Sequence, residues 1–285
     1  MRPIDVGLDA ARVLGRPGPG RVLAVFSRAL YLCVPGGLVA LCSRQVPRGP
    51  LHLRMAALPA ARVGAQVLVS SGHLELGGEV CPLTAPIWSP RLPTASRLSR
   101  ACPYARDWLP SIGPTLDLGP GENAGLPGDA LSALRHGDLL TFAGLVSGRG
   151  AGLTPTGDDV LAGVLLVAGA LRGGSRFDGT TRRRCARRTP TNDIAGAFLA
   201  CAARGRCIEP AHALLSALAD ADRGATRSAI SGLRRFGSSS GEALAYGIRT
   251  ALLELPSEAP RAIAPPFKPE QGRIEYSERK RRIVG

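Results

Sequence analysis

The sequence predicts an α+β protein, with an antiparallel, strand-rich front part and a helical back part. Three observations carry this. Before Thr94, apolar residues fall in short stretches divided by Gly and Pro turns. After Thr94 the apolar spacing becomes that of helices. Between the two, Ser111 to Gly128 is rich in Gly and Pro and marks the expected boundary. The expected division is a strand-rich domain over 1–120, a helical domain over 121–255 and a flexible tail over 256–285.

Taken in order, Val22 to Val34 is rich in Val, Leu, Phe and Tyr, and Pro35-Gly36-Gly37 supplies a turn before apolar Leu38 to Cys42, which predicts a hairpin. Leu51 to Met55 alternates apolar and polar residues. Val67 to Ser70 and His73 to Leu76 flank Ser71-Gly72 and predict a second hairpin. Pro82 to Pro93 carries four prolines and reads as irregular chain. Leu98, Cys102 and Ala105 line one face of a short helix. Asp129 to Arg135 and Asp138 to Val146 read as two short helices broken at His136-Gly137.

Asp158 to Leu171 is an apolar helix ended by Gly173-Gly174. A basic loop is expected next. Thr191 and Asn192 cap a helix from Asp193 to Ala203, stopped by Gly205. Glu209 to Leu218 follows, with Pro210 tolerated in its first turn. Ala225 to Arg235 and Gly241 to Leu255 complete the helical set.

Composition narrows the class. The chain has 285 residues and is 45% hydrophobic, enough for a sizeable core, while aromatics are 4%, so Leu, Val and Ala must build it. The net charge of +14 comes almost wholly from Arg, mostly scattered singly, with two clusters at Arg182, Arg183, Arg184, Arg187, Arg188 and in the tail from Arg279 to Arg282. Both clusters read as an exposed loop and a frayed terminus. Without aromatic interleaving or zinc-finger spacing, nucleic acid is a disfavoured partner. Seven irregularly spaced cysteines without a CxxC pair argue against a disulfide framework or structural zinc, and Cys33 and Cys42 read as reduced core residues. The opening residues lack a secretory pattern and the longest apolar run, Val160 to Leu171, is too short to span a bilayer, so the expectation is a cytoplasmic protein without a membrane partner.

The candidate site is Gly150 to Asp159. Glycines let backbone approach a ligand, and a helix N-terminus carries free N–H groups and partial positive charge suited to an anion. Gly152, Thr154, Thr156 and Gly157 are the expected ligand-binding residues here. The stretch Thr154 to Val164 is echoed by Ser238 to Ile248: hydroxyl, any residue, hydroxyl, Gly, acid, then a second Gly six positions on. Ser238, Ser239 and Ser240 therefore join the set, and two similar helix entrances are expected in one helical layer.

Asp158 and Asp159 would repel a bare anion. They suit a site where Mg²⁺ bridges carboxylate and phosphate, which makes them the candidate metal ligands and the candidate catalytic acids. The competing reading is that they only favour the first helical turn electrostatically. There is no P-loop ending and no dinucleotide fingerprint, so no nucleotide cofactor is indicated. His52, His73, His136 and His212 are dispersed and read as structural or exposed, and Glu209 as a cap.

Three segments carry a family resemblance: Gly152-Leu-Thr-Pro-Thr-Gly-Asp-Asp-Val-Leu-Ala-Gly163, Ile194 to Gly205 followed by Glu209-Pro210, and Gly237-Ser-Ser-Ser-Gly-Glu242. With Val22 to Cys42 and Ala85 to Trp88, they resemble the AllH family, which includes a subunit of bacterial oxamate carbamoyltransferase. The likeness runs from about Arg21 to Leu255 and departs around Arg182 to Arg188 and in the tail. It implies carbamoyl transfer among oxalurate, phosphate, oxamate and carbamoyl phosphate in allantoin catabolism, with companion subunits as partners and a small anion as substrate. An oligomeric assembly is compatible with it. Three other readings stay open beside it: a non-catalytic partner subunit of such a complex, a stand-alone Mg²⁺-dependent hydrolase of a small anion, and nucleic-acid binding through the Arg clusters.

Overall fold

The computed structural model describes residues 1–109, 125–150, 152–171 and 177–256. The boundary stretch expected at 111–128, the Gly173-Gly174 stop and the tail lie wholly or largely outside them. Among the described residues the strands are β1 (Pro3–Gly7), β2 (Gly18–Val25), β3 (Ala29–Val34), β4 (Gly37–Ser43), β5 (His52–Met55), β6 (Gln66–Ser70), β7 (His73–Leu76), β8 (Glu79–Pro82) and β9 (Ile87–Trp88). The helices are α1 (Leu8–Leu14), α2 (Ala95–Trp108), α3 (Gly128–Arg135), α4 (Leu139–Val146), α5 (Thr156–Leu171), α6 (Gly179–Arg188), α7 (Asp193–Ala203), α8 (Glu209–Ala219), α9 (Arg223–Arg234) and α10 (Ser240–Glu254).

The strands form one curled sheet in the order β8-β7-β6-β2-β3-β4-β5-β1-β9. Both expected hairpins are present, β3–β4 around Pro35-Gly36 and β6–β7 around Ser71-Gly72. The sheet is mixed: β4 pairs with β5 and β1 with β9 in parallel, the rest antiparallel. The short strands β8 and β9 flank prolines that had pointed to irregular chain throughout Pro82 to Pro93, and α1 carried no clear apolar period.

Alternation divides the sheet's faces. Leu30, Leu32 and Val34 of β3, Val39 and Leu41 of β4, and Leu53 and Met55 of β5 bury inside the curl against Ala10 and Leu14 of α1. The other face carries Ala29, Tyr31 and Cys33, then Leu38, Ala40 and Cys42, then His52 and Arg54, and turns toward the helices. Leu38 and Leu51 pack there against Ile194 and Cys201 of α7, closing a small core between sheet and helical layer.

The helical layer has its own core around α5, whose residues are buried on nearly every side. A helix apolar all round must be central, and α5 is wrapped by α10, α7, α2, α4 and α6. Leu98, Ala101 and Ala105 of α2 belong to this core, so the helical layer begins before the Gly- and Pro-rich stretch.

Two expectations are corrected. The basic segment Arg182 to Arg188 is not a loop but α6, capped by Asp178, whose side chain accepts the Thr181 N–H at 2.6 Å. Arg182 turns inward, donating to the carbonyls of Phe177 at 2.8 Å, Ala203 at 3.0 Å and Ala168 at 3.3 Å. Cys33 is exposed, whereas Cys42 is buried as expected, and all seven cysteines are free thiols. No helix among the described residues is long and apolar enough to cross a membrane.

Candidate functional site

A cleft of about 570 Å³ lies between the outward face of the sheet and the entrances of α5 and α10. Tyr31, Cys42 and His52 form its sheet side; Thr154, Asp159 and Ser238 to Ser240 form its helical side. Phe198 and Leu244 add apolar walls, while Phe26, Arg28 and Arg235 stand at its lip. The size and the mix of apolar wall with few polar groups match small-molecule sites generally.

The two echoed helix entrances meet here. Thr154 Oγ1 lies 3.0 Å from Ser240 Oγ and donates to Asp159 Oδ2 at 3.0 Å. Ser240 also hydrogen-bonds the Asp159 carboxylate. Burial pushes the Asp159 carboxyl up to about 7, the Ser240 and Thr154 hydroxyls pull it back, and the neighbouring Asp158 charge adds to the rise. Asp159 thus stands between its acid and base forms near neutral pH.

Asp158 points the other way. It is 2% exposed, accepts the Gly148 N–H at 2.8 Å and the Thr191 hydroxyl, and does not line the cleft. It ties the start of α5 to the turn before it and to the loop before α7. Burial raises its carboxyl and these two bonds oppose the rise. Thr156 and Gly157 are also turned from the cleft: the Thr156 hydroxyl sits 2.7 Å from where a Cβ on Gly150 would be, and Gly157 lies against the Val146 carbonyl. Gly152, Thr154, Asp159 and the three serines line the cleft, so the sequence-named set divides in two.

The anion-holding capacity of the entrances also divides. In the first turn of α5 the Gly157 N–H is spent on Arg149 O at 2.9 Å, and those of Asp158 and Asp159 on Pro155 O. At α10 the Gly241 N–H is spent on Phe236 O at 3.0 Å, but those of Ser240 and Glu242 have no backbone acceptor among the described residues. Free donors and the positive end of the dipole therefore coincide at α10. Arg28 and Arg235 form no ion pair with a described residue and add positive potential at the lip.

A divalent cation fits this donor set poorly. Asp159 is the one carboxylate on the cleft wall, and no group of three or more His, Cys, Asp or Glu gathers among the described residues. A carboxyl already half protonated near pH 7, with hydroxyls as neighbours, is a hydrogen-bonding centre more than a Mg²⁺ ligand.

Sequence reasoning missed His52. It is buried, its Nδ1 lies 2.9 Å from Pro47 O, and its ring meets Phe198 edge-on. Burial holds it neutral, down to about 4. The signal was its alternate position in β5, on the same face as Arg54. The other histidines stay apart: His73 faces Glu75, His136 caps its own helix through Ser132 O, and His212 accepts the Cys207 N–H at 3.1 Å. Glu209 pairs with Arg48, bracing α8 against the loop before β5.

Fold and cleft together define a class: an α+β protein with a cleft shared between a curled sheet and paired helix entrances. Residues 146–252 match the family model described as oxamate carbamoyltransferase subunit AllH. The matched stretch takes in both site-forming entrances, and over it the chain is similar to that family. No curated protein and no solved structure matches the chain.

Proposed function

We propose that this chain is the ligand-holding subunit of a carbamoyltransferase-type complex of the oxamate kind, working with companion subunits in allantoin catabolism. The family match supports the complex. The observation that carries the site is the meeting of Thr154, Asp159 and Ser240 at the head of one cleft.

The reaction needs an anion held at one end and a proton accepted at the other. A nitrogen of oxamate attacks the carbamoyl carbon of carbamoyl phosphate, the new C–N bond forms, and the C–O bond to phosphate breaks with its electron pair leaving on phosphate. The α10 end, with its free N–H groups and Ser238 to Ser240, is suited to the anionic oxygens. Asp159, poised near 7, is suited to take the proton from the attacking nitrogen. The chain's own backbone N–H groups, hydroxyls and the Asp159 carboxyl supply both roles.

The test is a thermal melt of the purified chain with carbamoyl phosphate, phosphate or oxamate, each with and without Mg²⁺. A ligand present at a hundred times its dissociation constant stabilises by about 2.7 kcal/mol. The expected result is a shift with carbamoyl phosphate or oxamate that Mg²⁺ does not enlarge and that Ser240→Ala and Asp159→Asn reduce. No shift with any of the three would favour the non-catalytic partner-subunit reading, in which the entrances only cap helices.

A further inference from the structure

We infer that His52 accepts a hydrogen bond from an N–H group of the ligand in the cleft, and so selects an acid carrying a carboxamide or ureido nitrogen over the matching dicarboxylate. This rests on the proposed reading of the cleft as the ligand site. It concerns a residue of the sheet, outside the family-matched stretch 146–252.

One contact fixes the tautomer of His52. A carbonyl oxygen only accepts, so the 2.9 Å contact with Pro47 O requires Nδ1 to carry the proton. Nε2 is then a bare acceptor. His52 is 2% exposed, yet Nε2 has no hydrogen-bond partner among the described residues and is not sealed off among the buried unpaired atoms. The residue lines the cleft, so the little surface it keeps opens there.

The ring is held in that pose. Gly49 lies flat against it, close enough that a Cβ would sit 2.6 Å from Nδ1, and Phe198 meets it edge-on. In the sheet, Tyr31, Ala40 and His52 stand in one row across β3, β4 and β5. Burial keeps the imidazole neutral at physiological pH, so Nε2 stays an acceptor.

A buried acceptor facing a cleft is costly to leave unpaired and discriminates by what can pair with it. An N–H satisfies it. A second carboxylate in the same place brings lone pairs against a lone pair.

The experiment compares oxamate with oxalate, which differ by NH₂ against O⁻, in calorimetric titrations of the full chain. The wild type is expected to favour oxamate by about tenfold or more. His52→Phe should lose the preference while still binding oxalate, and His52→Gln, whose amide oxygen remains an acceptor, should keep part of it. Melting curves establish that each variant is folded, and the wild-type comparison with His52→Gln decides the matter if the Phe ring is not tolerated. Equal binding of the two acids by the wild type, or an unchanged preference in His52→Phe, overturns the role of His52 and leaves the cleft reading intact. Binding of neither acid overturns both.

Discussion

Gly163 of α5 and Gly247 of α10 pack reciprocally, each the point at which the other helix's backbone comes closest. A Cβ on Gly163 would lie against the Leu244 carbonyl and 2.7 Å from the Ile248 nitrogen; a Cβ on Gly247 would lie against the Val160 carbonyl and 2.8 Å from its carbon. These are the second glycines of the two echoed segments, so the internal echo describes one symmetric helix pair. That crossing is what brings Thr154 and Ser240 within 3.0 Å.

Gly163→Ala and Gly247→Ala should each destabilise the chain by about 1–3 kcal/mol through overpacking against backbone, which cannot move aside as a side chain can. Chemical denaturation measures this. The double variant should depart from additivity, because the first substitution already pushes the helices apart.

The neighbouring acids Asp158 and Asp159 should separate by phenotype. Asp158→Ala strands the Gly148 N–H and the Thr191 hydroxyl inside the protein and should cost about 1–3 kcal/mol of stability. The affinity of any Asp158→Ala protein that remains folded should change little. Asp159→Asn should leave melting near wild type at low pH and weaken ligand response. Titration calorimetry beside melting curves distinguishes them, and a stable Asp158→Ala variant would contradict the anchoring role.

The pH dependence of stability follows from Asp159. Its folded carboxyl titrates at about 7, above the ordinary value of 3.8. Between those values the folded chain holds a proton that the unfolded chain has released, so this group's contribution falls as pH rises through the window and levels off above about 7. Melts at pH 5 and pH 8 should differ less in Asp159→Asn than in the wild type. An identical difference in the two proteins would contradict a raised Asp159.

Asp9 works in the opposite sense. Burial alone would raise its carboxyl, but the Arg206 fork, with Nη2 at 2.7 Å, and Arg204 at 3.3 Å outweigh burial and hold it below the ordinary carboxylate range. This contribution is present above the unfolded pKa and is lost as pH falls through the folded one. The bond joins α1 to the loop between α7 and α8, so it clamps the sheet to the helical layer. Asp9→Ala leaves Arg206 half-buried without its partner and should cost about 3–5 kcal/mol, read by denaturant midpoint at neutral pH.

Local pattern made much of the fold legible. Turn chemistry at Pro35-Gly36 and Ser71-Gly72 defined two hairpins, and apolar period with capping residues such as Asn192 defined the helices from α2 onward except α6, because these signals act within a few residues. The hydroxyl-Gly-acid echo marked both helix entrances for the same reason. Tertiary structure decided what such signals do not reach. It turned Asp158 inward and Asp159 toward the cleft, since adjacent helical positions point about 100° apart and only packing decides which faces a ligand. It spent the Gly157, Asp158 and Asp159 amides of α5 on their own loop, and at α10 it spent that of Gly241 but left those of Ser240 and Glu242 without a backbone acceptor among the described residues, a matter of where Arg149, Pro155 and Phe236 place their carbonyls. It folded the basic run Arg182 to Arg188 into α6 because Arg182 found three buried carbonyls. And it carried His52 from a strand far along the chain to the opposite wall of the site, a meeting that depends on parallel pairing of β4 with β5, whereas the alternation within β5 tells only which face His52 shares with Arg54.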